Sequence, residues 1–154
     1  MVLARILSRE TVKLGISNVD KWTAIEELVD LMVERGLLDD RNAVLSAIVD
    51  REKRGSTGLE NGIAVPHARS NGVGELVGVL GISKDGIDFE SADGKPCYLI
   101  FLIVAPPQES TTYLKALADV TFIGSDEGRV SKLRYASSPD EVISILEQIR
   151  DGTS

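Results

Sequence analysis

The chain has 154 residues, of which 43% are hydrophobic and 27% charged, and its formal net charge at pH 7 is −7. This composition predicts one ordinary globular domain spanning residues 1–154. An acidic chain is a poor partner for nucleic acid, whose phosphates favour lysine and arginine. The chain lacks an apolar run long enough to span a membrane, and its first residues lack a signal-peptide pattern. We therefore expect no membrane insertion and a cytoplasmic location.

The first third of the chain predicts a short strand followed by two helices. Alternating apolar residues over 12–16 indicate the strand. The first helix has its apolar residues at helical spacing, and they define its predicted core face: Trp22, Ile25, Leu28, Val29 and Met32. Gly36 is a stop signal for this helix. A second helix is predicted to begin after Asp40, a good N-cap residue, and to end at Gly55.

A polar loop and a short extended segment come next. The loop GSTGLENG covers residues 55–62, and Ile63, Val65 and His67 then alternate with Ala64 and Pro66 in a short extended segment. Pro66 cannot donate a backbone hydrogen bond to a neighbouring strand. We therefore expect this segment to lie at the edge of a sheet or at the end of a strand.

The remaining residues predict two clear strands and then three helices. Residues 76–83 form one strand, and the almost continuously apolar run 97–104 is typical of a central strand covered on both faces. The next helix is predicted to follow Ser110 and to bury Leu114, Leu117, Ala118 and Phe122. A short helix is expected around Val130 and a final one from Pro139. This order indicates an α/β (α+β) fold in which helices pack on the faces of a mixed sheet.

Metal and disulfide chemistry find little support in the sequence. The chain has one cysteine, Cys97, which cannot form an intrachain disulfide and is expected to be buried in its apolar strand. One histidine and one cysteine would leave only carboxylates to complete a metal site. We therefore expect neither a metal nor a cofactor.

Residues 50–69 contain the side chains that could bind a phosphoryl group and react with it. A phosphoryl group requires cations and hydrogen-bond donors around its oxygens. Arg51 offers a planar fork of donors, and Ser56 and Thr57 offer hydroxyls. His67, the only histidine, supplies a neutral imidazole that is nucleophilic near pH 7. Each feature alone has an ordinary structural explanation: a packed histidine, a solvated arginine at a helix end, and a common Gly-Ser-Thr turn.

Known nucleotide and hydrolase motifs do not account for this block. The Gly-Ser-Thr-Gly loop is not followed by Gly-Lys-Ser/Thr, so it is not a phosphate-binding Walker loop. It also lacks the G-x-G-x-x-G order of dinucleotide-binding loops, and the chain has no G-x-S-x-G element.

In order and spacing, however, the block is specific. Arg-Glu, two residues, Gly-Ser-Thr-Gly, three residues and Gly-Ile-Ala-Val-Pro-His come one after another between Arg51 and His67. This pattern resembles the phosphorylation-site signature of enzyme IIA domains of the phosphoenolpyruvate-dependent sugar phosphotransferase system. The matching branch is the mannitol/fructose type, which includes the nitrogen-regulatory IIA proteins.

The resemblance implies a fold, a site and partners. The fold would be a three-layer α/β/α sandwich around a small mixed sheet. His67 would match the phosphorylated histidine, Arg51 the arginine beside it, and Ser56 and Thr57 the loop that closes on the phosphoryl group. The implied donor is a small phosphohistidine carrier protein of the HPr type. The implied recipient is a IIB domain or a regulated target protein.

Tyr113 departs from the family pattern. In the family, a second histidine commonly precedes the leucine of the helix that follows the apolar strand, whereas here Tyr113 precedes Leu114. A tyrosine can donate a hydrogen bond to a phosphoryl oxygen, but it does not titrate near neutrality. Alternatively, it simply packs at the start of its helix.

Three functions stay open: a nitrogen-type regulator, a sugar-specific IIA component, and a binding module without phosphoryl chemistry. The run REKRGSTG and the expected absence of an attached IIB or membrane domain favour the regulator.

Overall fold

The structure is a computed structural model that describes residues 1–17 and 20–150, within which it has six α-helices and five β-strands. In chain order, they are α1 (Val2–Ile6), β1 (Val12–Leu14), α2 (Lys21–Glu34), α3 (Arg41–Lys53), β2 (Ile63–Ala64), β3 (His67–Arg69), β4 (Val77–Ile87), β5 (Cys97–Ala105), α4 (Thr111–Gly124), α5 (Glu127–Arg134) and α6 (Pro139–Arg150). Two single 3-10 turns, Arg9–Thr11 and Glu60–Gly62, precede β1 and β2.

The sheet is mixed and is built around the antiparallel pair β4 and β5. β1 lies parallel to β4 at one edge. β2 and β3 both lie parallel to β5 and form the other edge in two pieces, separated by Val65 and Pro66. The predicted central strand and the predicted edge position beside Pro66 are therefore confirmed. Pro66 still accepts a bond through its carbonyl, from the Ile103 amide at 3.1 Å.

Helices cover both faces of the sheet and enclose two hydrophobic cores. α2 and α3 pack on one face, against β5 residues such as Ile100 and Leu102. α1, α4, α5 and α6 pack on the other face, against Phe101 and Ile103. The strand alternation that sends neighbouring residues to opposite faces explains why β5 is apolar throughout. The predicted three-layer α/β/α architecture is confirmed, and Cys97 is fully buried as expected.

The predicted core face of α2 is wrong at its first residue. Trp22 is 36% exposed, whereas its neighbour Lys21 is only 4% exposed. Asp20 caps the helix by accepting from the Thr23 amide, which places both residues in the first turn. Lys21 points inward because it forms an ion pair with Glu52 there, and Trp22 is turned outward.

The predicted core face of α4 is also largely wrong: of Leu114, Leu117, Ala118 and Phe122, only Leu117 packs against the core, as a partly buried side chain. Leu114 and Phe122 are exposed by 58% and 47%, and the buried residues are Tyr113, Ala116, Val120, Ile123 and Gly124. Apolar residues occupy both candidate faces, so their spacing does not distinguish them. Close approach to the sheet selects the face with the small residues: a Cβ on Gly124 would lie 2.7 Å from Ile63 Cγ2.

The helix α1 has no counterpart in the sequence-based predictions, because five residues are too few for a periodic signal. Its Val2 and Leu3 are buried in the core beneath α4 and α6. Within the described residues, none of the helices combines the length and the apolar character required to cross a membrane.

Candidate functional site

The imidazole of His67 is oriented by a backbone carbonyl. Its Nδ1 atom lies 2.6 Å from the carbonyl oxygen of Val65. A carbonyl only accepts hydrogen bonds, so Nδ1 carries the proton and Nε2 keeps a free lone pair. The intervening Pro66 has a restricted φ and stiffens the connection between the two residues. His67 is therefore held as a neutral nucleophile whose free nitrogen is Nε2.

Three elements of the fold converge on a cleft beside this ring. The end of α3, the strand β3 and the first turn of α4 line it with Ala47, Asp50, Arg51, Arg54, His67, Ala68, Arg69 and Tyr113. Three arginines and one aspartate thus line the cleft beside the imidazole, although the chain as a whole is acidic. The cleft brings together His67, Arg51 and Tyr113, three residues singled out from the sequence.

Arg51 connects the end of α3 to the loop after it. Its Nη1 donates to the carbonyl oxygen of Gly55 at 3.0 Å. The guanidinium has five N–H donors, so this contact leaves others for an anion in the cleft. Its position at the cleft is suited to the bidentate contacts that arginine makes with phosphoryl oxygens.

Tyr113 faces His67 and does not merely fill space at a helix start. The two ring centroids are 6.1 Å apart with an interplanar angle of 57°. The Arg69 guanidinium lies over the tyrosine ring at 4.9 Å, and its Nη2 donates to Ser110 Oγ at 3.4 Å. The sequence pattern assigns Arg69 no individual role, yet it lies two residues after His67 on the same strand and lines the same cleft.

Ser56 and Thr57 use their hydroxyls inside the loop. Ser56 Oγ donates to the Phe89 carbonyl oxygen and accepts from the Gly58 amide at 3.0 Å. Thr57 is 3% exposed, and its amide and hydroxyl donate to the Glu52 carboxylate at 2.9 Å and 2.6 Å. Binding of a phosphoryl group by these two residues stays a prediction.

Burial and charge set the protonation of the two rings. Burial lowers the pKa of His67, and the neighbouring Arg51 cation lowers it further; the Val65 hydrogen bond and Glu52 act in the opposite direction. Burial raises the pKa of Tyr113, against the opposing influence of Arg69 and Arg51. At neutral pH, the cleft therefore presents a neutral imidazole and a neutral phenol beside permanent cations.

The described residues offer neither a cluster of metal ligands nor a reactive thiol. Over residues 1–17 and 20–150, no cluster of three or more His, Cys, Asp and Glu side chains could hold a metal ion. Burial raises the pKa of Cys97 to about 11, so its thiol stays protonated.

Known proteins resemble this chain over nearly its whole length. The profile of the family described as phosphoenolpyruvate-dependent sugar phosphotransferase system, EIIA 2, matches residues 5–149. The chain is 38% identical to the fructose-specific EIIABC component of Bacillus subtilis over 96% of its own length, but spans only 23% of that protein. It is 33% identical to the fructose-specific EIIA component of Haloferax volcanii, and the match covers 96% of each chain.

Solved structures share the fold. The nitrogen regulatory protein IIA-Ntr from Neisseria meningitidis superposes with a TM-score of 0.87 at 31% identity, over 95% of this chain and 99% of that one. The complex of enzyme IIAMTL with phosphorylated IIBMTL from Escherichia coli gives a TM-score of 0.77 at 25% identity, over 92% of this chain and 96% of that one.

The pKa of His67 is a direct test of these electrostatics. We expect it below the ordinary histidine value of 6.5, and we expect Arg51→Gln to raise it because a cation no longer opposes protonation. Arg54→Gln is the matched control, since it removes a charge of the same sign from the same cleft and we expect a smaller change. An NMR titration of the single histidine measures all three values. A pKa above 6.5 in the native chain would contradict the prediction.

Proposed function

Because the chain belongs to the EIIA 2 family of the phosphoenolpyruvate-dependent sugar phosphotransferase system, which makes it a phosphoryl carrier, we propose that it carries the group on Nε2 of His67. The observation that carries this proposal is the 2.6 Å contact of Nδ1 with the Val65 carbonyl. That contact leaves Nε2 as the free nitrogen of a ring that lines a cleft with three arginines.

In the proposed reaction, the Nε2 lone pair attacks the phosphorus of a phosphohistidine on the donor protein. A new P–N bond forms as the donor's P–N bond breaks, and the donor imidazole leaves with the electron pair. Positive charge develops on the His67 ring, and the Val65 carbonyl stabilises it by accepting from the Nδ1 proton. Arg51 neutralises charge on the phosphoryl oxygens. Positioning and charge neutralisation supply the catalysis, as is general for phosphoryl transfer.

The proposed donor is an HPr-type phosphocarrier protein. Arg51, Arg54 and Arg69 gather positive charge in the cleft with His67, which supports docking of a donor that presents an anionic phosphoryl group. IIA domains also work with IIB domains, and the solved complex of IIAMTL with phosphorylated IIBMTL is an example. We propose that these exchanges take place in the cytoplasm.

Two branches of this function differ in the step after phosphorylation. We favour a nitrogen-type regulator, which signals through its phosphorylation state. The neutral Tyr113 beside His67 supports this choice, because a neutral donor stabilises the moving phosphoryl group less than a cation does. A sugar-specific relay to a IIB cysteine is the second candidate, and the fructose-specific relatives at 38% and 33% identity support it.

The proposed function predicts phosphorylation of His67. With phosphoenolpyruvate, enzyme I and an HPr-type carrier, the native chain should gain the mass of one phosphoryl group. The product should be labile in acid and stable in alkali, because it is a phosphoramidate. His67→Ala should gain no mass, since the chain has no other histidine. Phosphorylation that persists in this variant would exclude His67 as the acceptor, whereas no gain in the native chain would favour a binding module.

Replacement of Arg51 tests the proposed clamp on the phosphoryl group. Arg51→Lys keeps the charge but loses the planar fork, so we expect transfer to slow by roughly 10- to 1,000-fold. Arg54→Lys makes the same chemical change at the same helix end and should have much less effect. Rapid-quench measurement of phosphoryl transfer compares the two. Equal rates in both variants would reduce Arg51 to an ordinary cation at a helix end.

Tyr113 distinguishes the two functional branches. Tyr113→His would provide a side chain that can carry positive charge as the phosphoryl group moves. We expect it to speed transfer in at least one direction by about 10-fold, equivalent to about 1.4 kcal/mol. Tyr113→Phe removes only the hydroxyl and measures its hydrogen bond separately. If both variants transfer at the native rate, to and from the carrier, Tyr113 has no part in transfer and the regulatory preference loses its support.

A further inference from the structure

Glu52 is a buried carboxylate that the proposed reaction does not use. It is 2% exposed and lies beside Lys21, which is 4% exposed. Its Oε2 contacts Lys21 Nζ at 3.2 Å and the Thr57 amide at 2.9 Å, and its Oε1 accepts from Thr57 Oγ1 at 2.6 Å. Burying an ion pair is costly, and apolar side chains of the same size often serve stability as well or better. This pair therefore calls for an explanation beyond stability.

A short series of hydrogen bonds connects Glu52 to the acceptor ring. Glu52 holds Thr57 by its amide and hydroxyl. The Thr57 carbonyl in turn accepts from the Val65 amide at 3.2 Å. The Val65 carbonyl then accepts from His67 Nδ1 at 2.6 Å. Every connection in the series is a direct contact, and only Pro66 separates Val65 from His67 in the chain.

The middle of this series is a small hairpin that transmits position. Residues 57–59 run antiparallel to 63–65, through the Thr57–Val65 bond and through the Leu59 amide, which donates to the Ile63 carbonyl at 2.8 Å. Glu52 anchors the first residue of this hairpin, and the last residue holds the His67 ring. A shift of the anchor therefore displaces the carbonyl that orients the nucleophile.

The carboxylate is fixed from its other side as well. Lys21 Nζ bridges the buried Glu52 and the exposed Glu90, with the Glu90 contact at 3.0 Å. The preceding residue, Arg51, turns the other way and bonds the Gly55 carbonyl. Two adjacent side chains at the end of α3 thus hold the same loop, one from the cleft and one from the core.

We propose that Glu52, held by Lys21, is a positioning residue for phosphoryl transfer. Through Thr57 and Val65, it keeps the His67 ring in the tautomer with Nδ1 protonated and Nε2 free. Glu52 does not touch the reacting atoms. Its consequence for transfer rests on the proposed function of His67, but its effect on the tautomer does not.

The single histidine makes the test unambiguous, because ¹⁵N-labelled histidine gives only the His67 ring signals. Glu52→Gln keeps the shape of the side chain but removes the charge and one acceptor. We expect the Nε2–H tautomer to become detectable, the His67 pKa to fall because Glu52 raises it in the native chain, and phosphorylation to slow by about 10-fold or more. Glu60→Gln is the matched control, since it removes an exposed carboxylate from the same hairpin.

The Thr57 variants cover the case in which Glu52→Gln does not fold. Thr57→Val removes only the hydroxyl contact and should admit the second tautomer to a smaller extent, while Thr57→Ser should restore the native spectrum. A folded Glu52→Gln or Thr57→Val protein with the native tautomer would overturn the proposal, whatever its pKa and even if its stability were reduced. If the native chain takes up no phosphoryl group, the proposed function fails, while the tautomer measurement still decides the role of Glu52.

Discussion

The hydrogen bond between the His67 ring and the Val65 carbonyl is the interaction on which the site depends. β2 and β3 form a sheet edge, and the backbone of Val65 turns away from β5 while Pro66 pairs with Ile103. The Val65 amide then bonds to Thr57, which leaves its carbonyl at the open edge for the imidazole. A main-chain carbonyl between the two edge strands β2 and β3 here selects one of two chemically distinct ring nitrogens.

The charge at the cleft is opposite in sign to the net charge of the whole chain. The protein carries a net charge of −7, yet His67 shares its cleft with Arg51, Arg54 and Arg69. The two aromatic groups between them, His67 and Tyr113, are both neutral at neutral pH because burial disfavours their charged forms. The arginines attract anions to the cleft while the His67 ring stays uncharged, with its one proton on Nδ1. On the proposed function, attraction of the phosphoryl group and nucleophilic attack thus belong to different side chains.

The sequence predicts the sheet, its flanking helices and His67 as the candidate acceptor. It does not predict the groups that hold the His67 ring in place. The apolar run of β5 and the position of Pro66 fix the central and edge strands, because both rest on local chemistry. The buried face of α4 is different, since apolar residues lie on two faces and only packing against Ile63 selects one. Lys21 is far from Glu52 in the chain, so no spacing rule pairs them. The orienting group of His67 is a main-chain atom, which a pattern of side chains does not identify.

The order in which the sheet pairs has a consequence during synthesis. β3 pairs with β5, and His67 lies opposite Ile103. The chain between these two strands contains all of β4, which pairs with β5 from the other side. Pairing of segments distant in sequence closes late in folding, because the intervening chain must first be ordered. A nascent chain that ends before β5 therefore holds His67 without its partner strand. On the proposed function, the phosphoryl site is therefore complete only after β5 has been translated and has paired with β3.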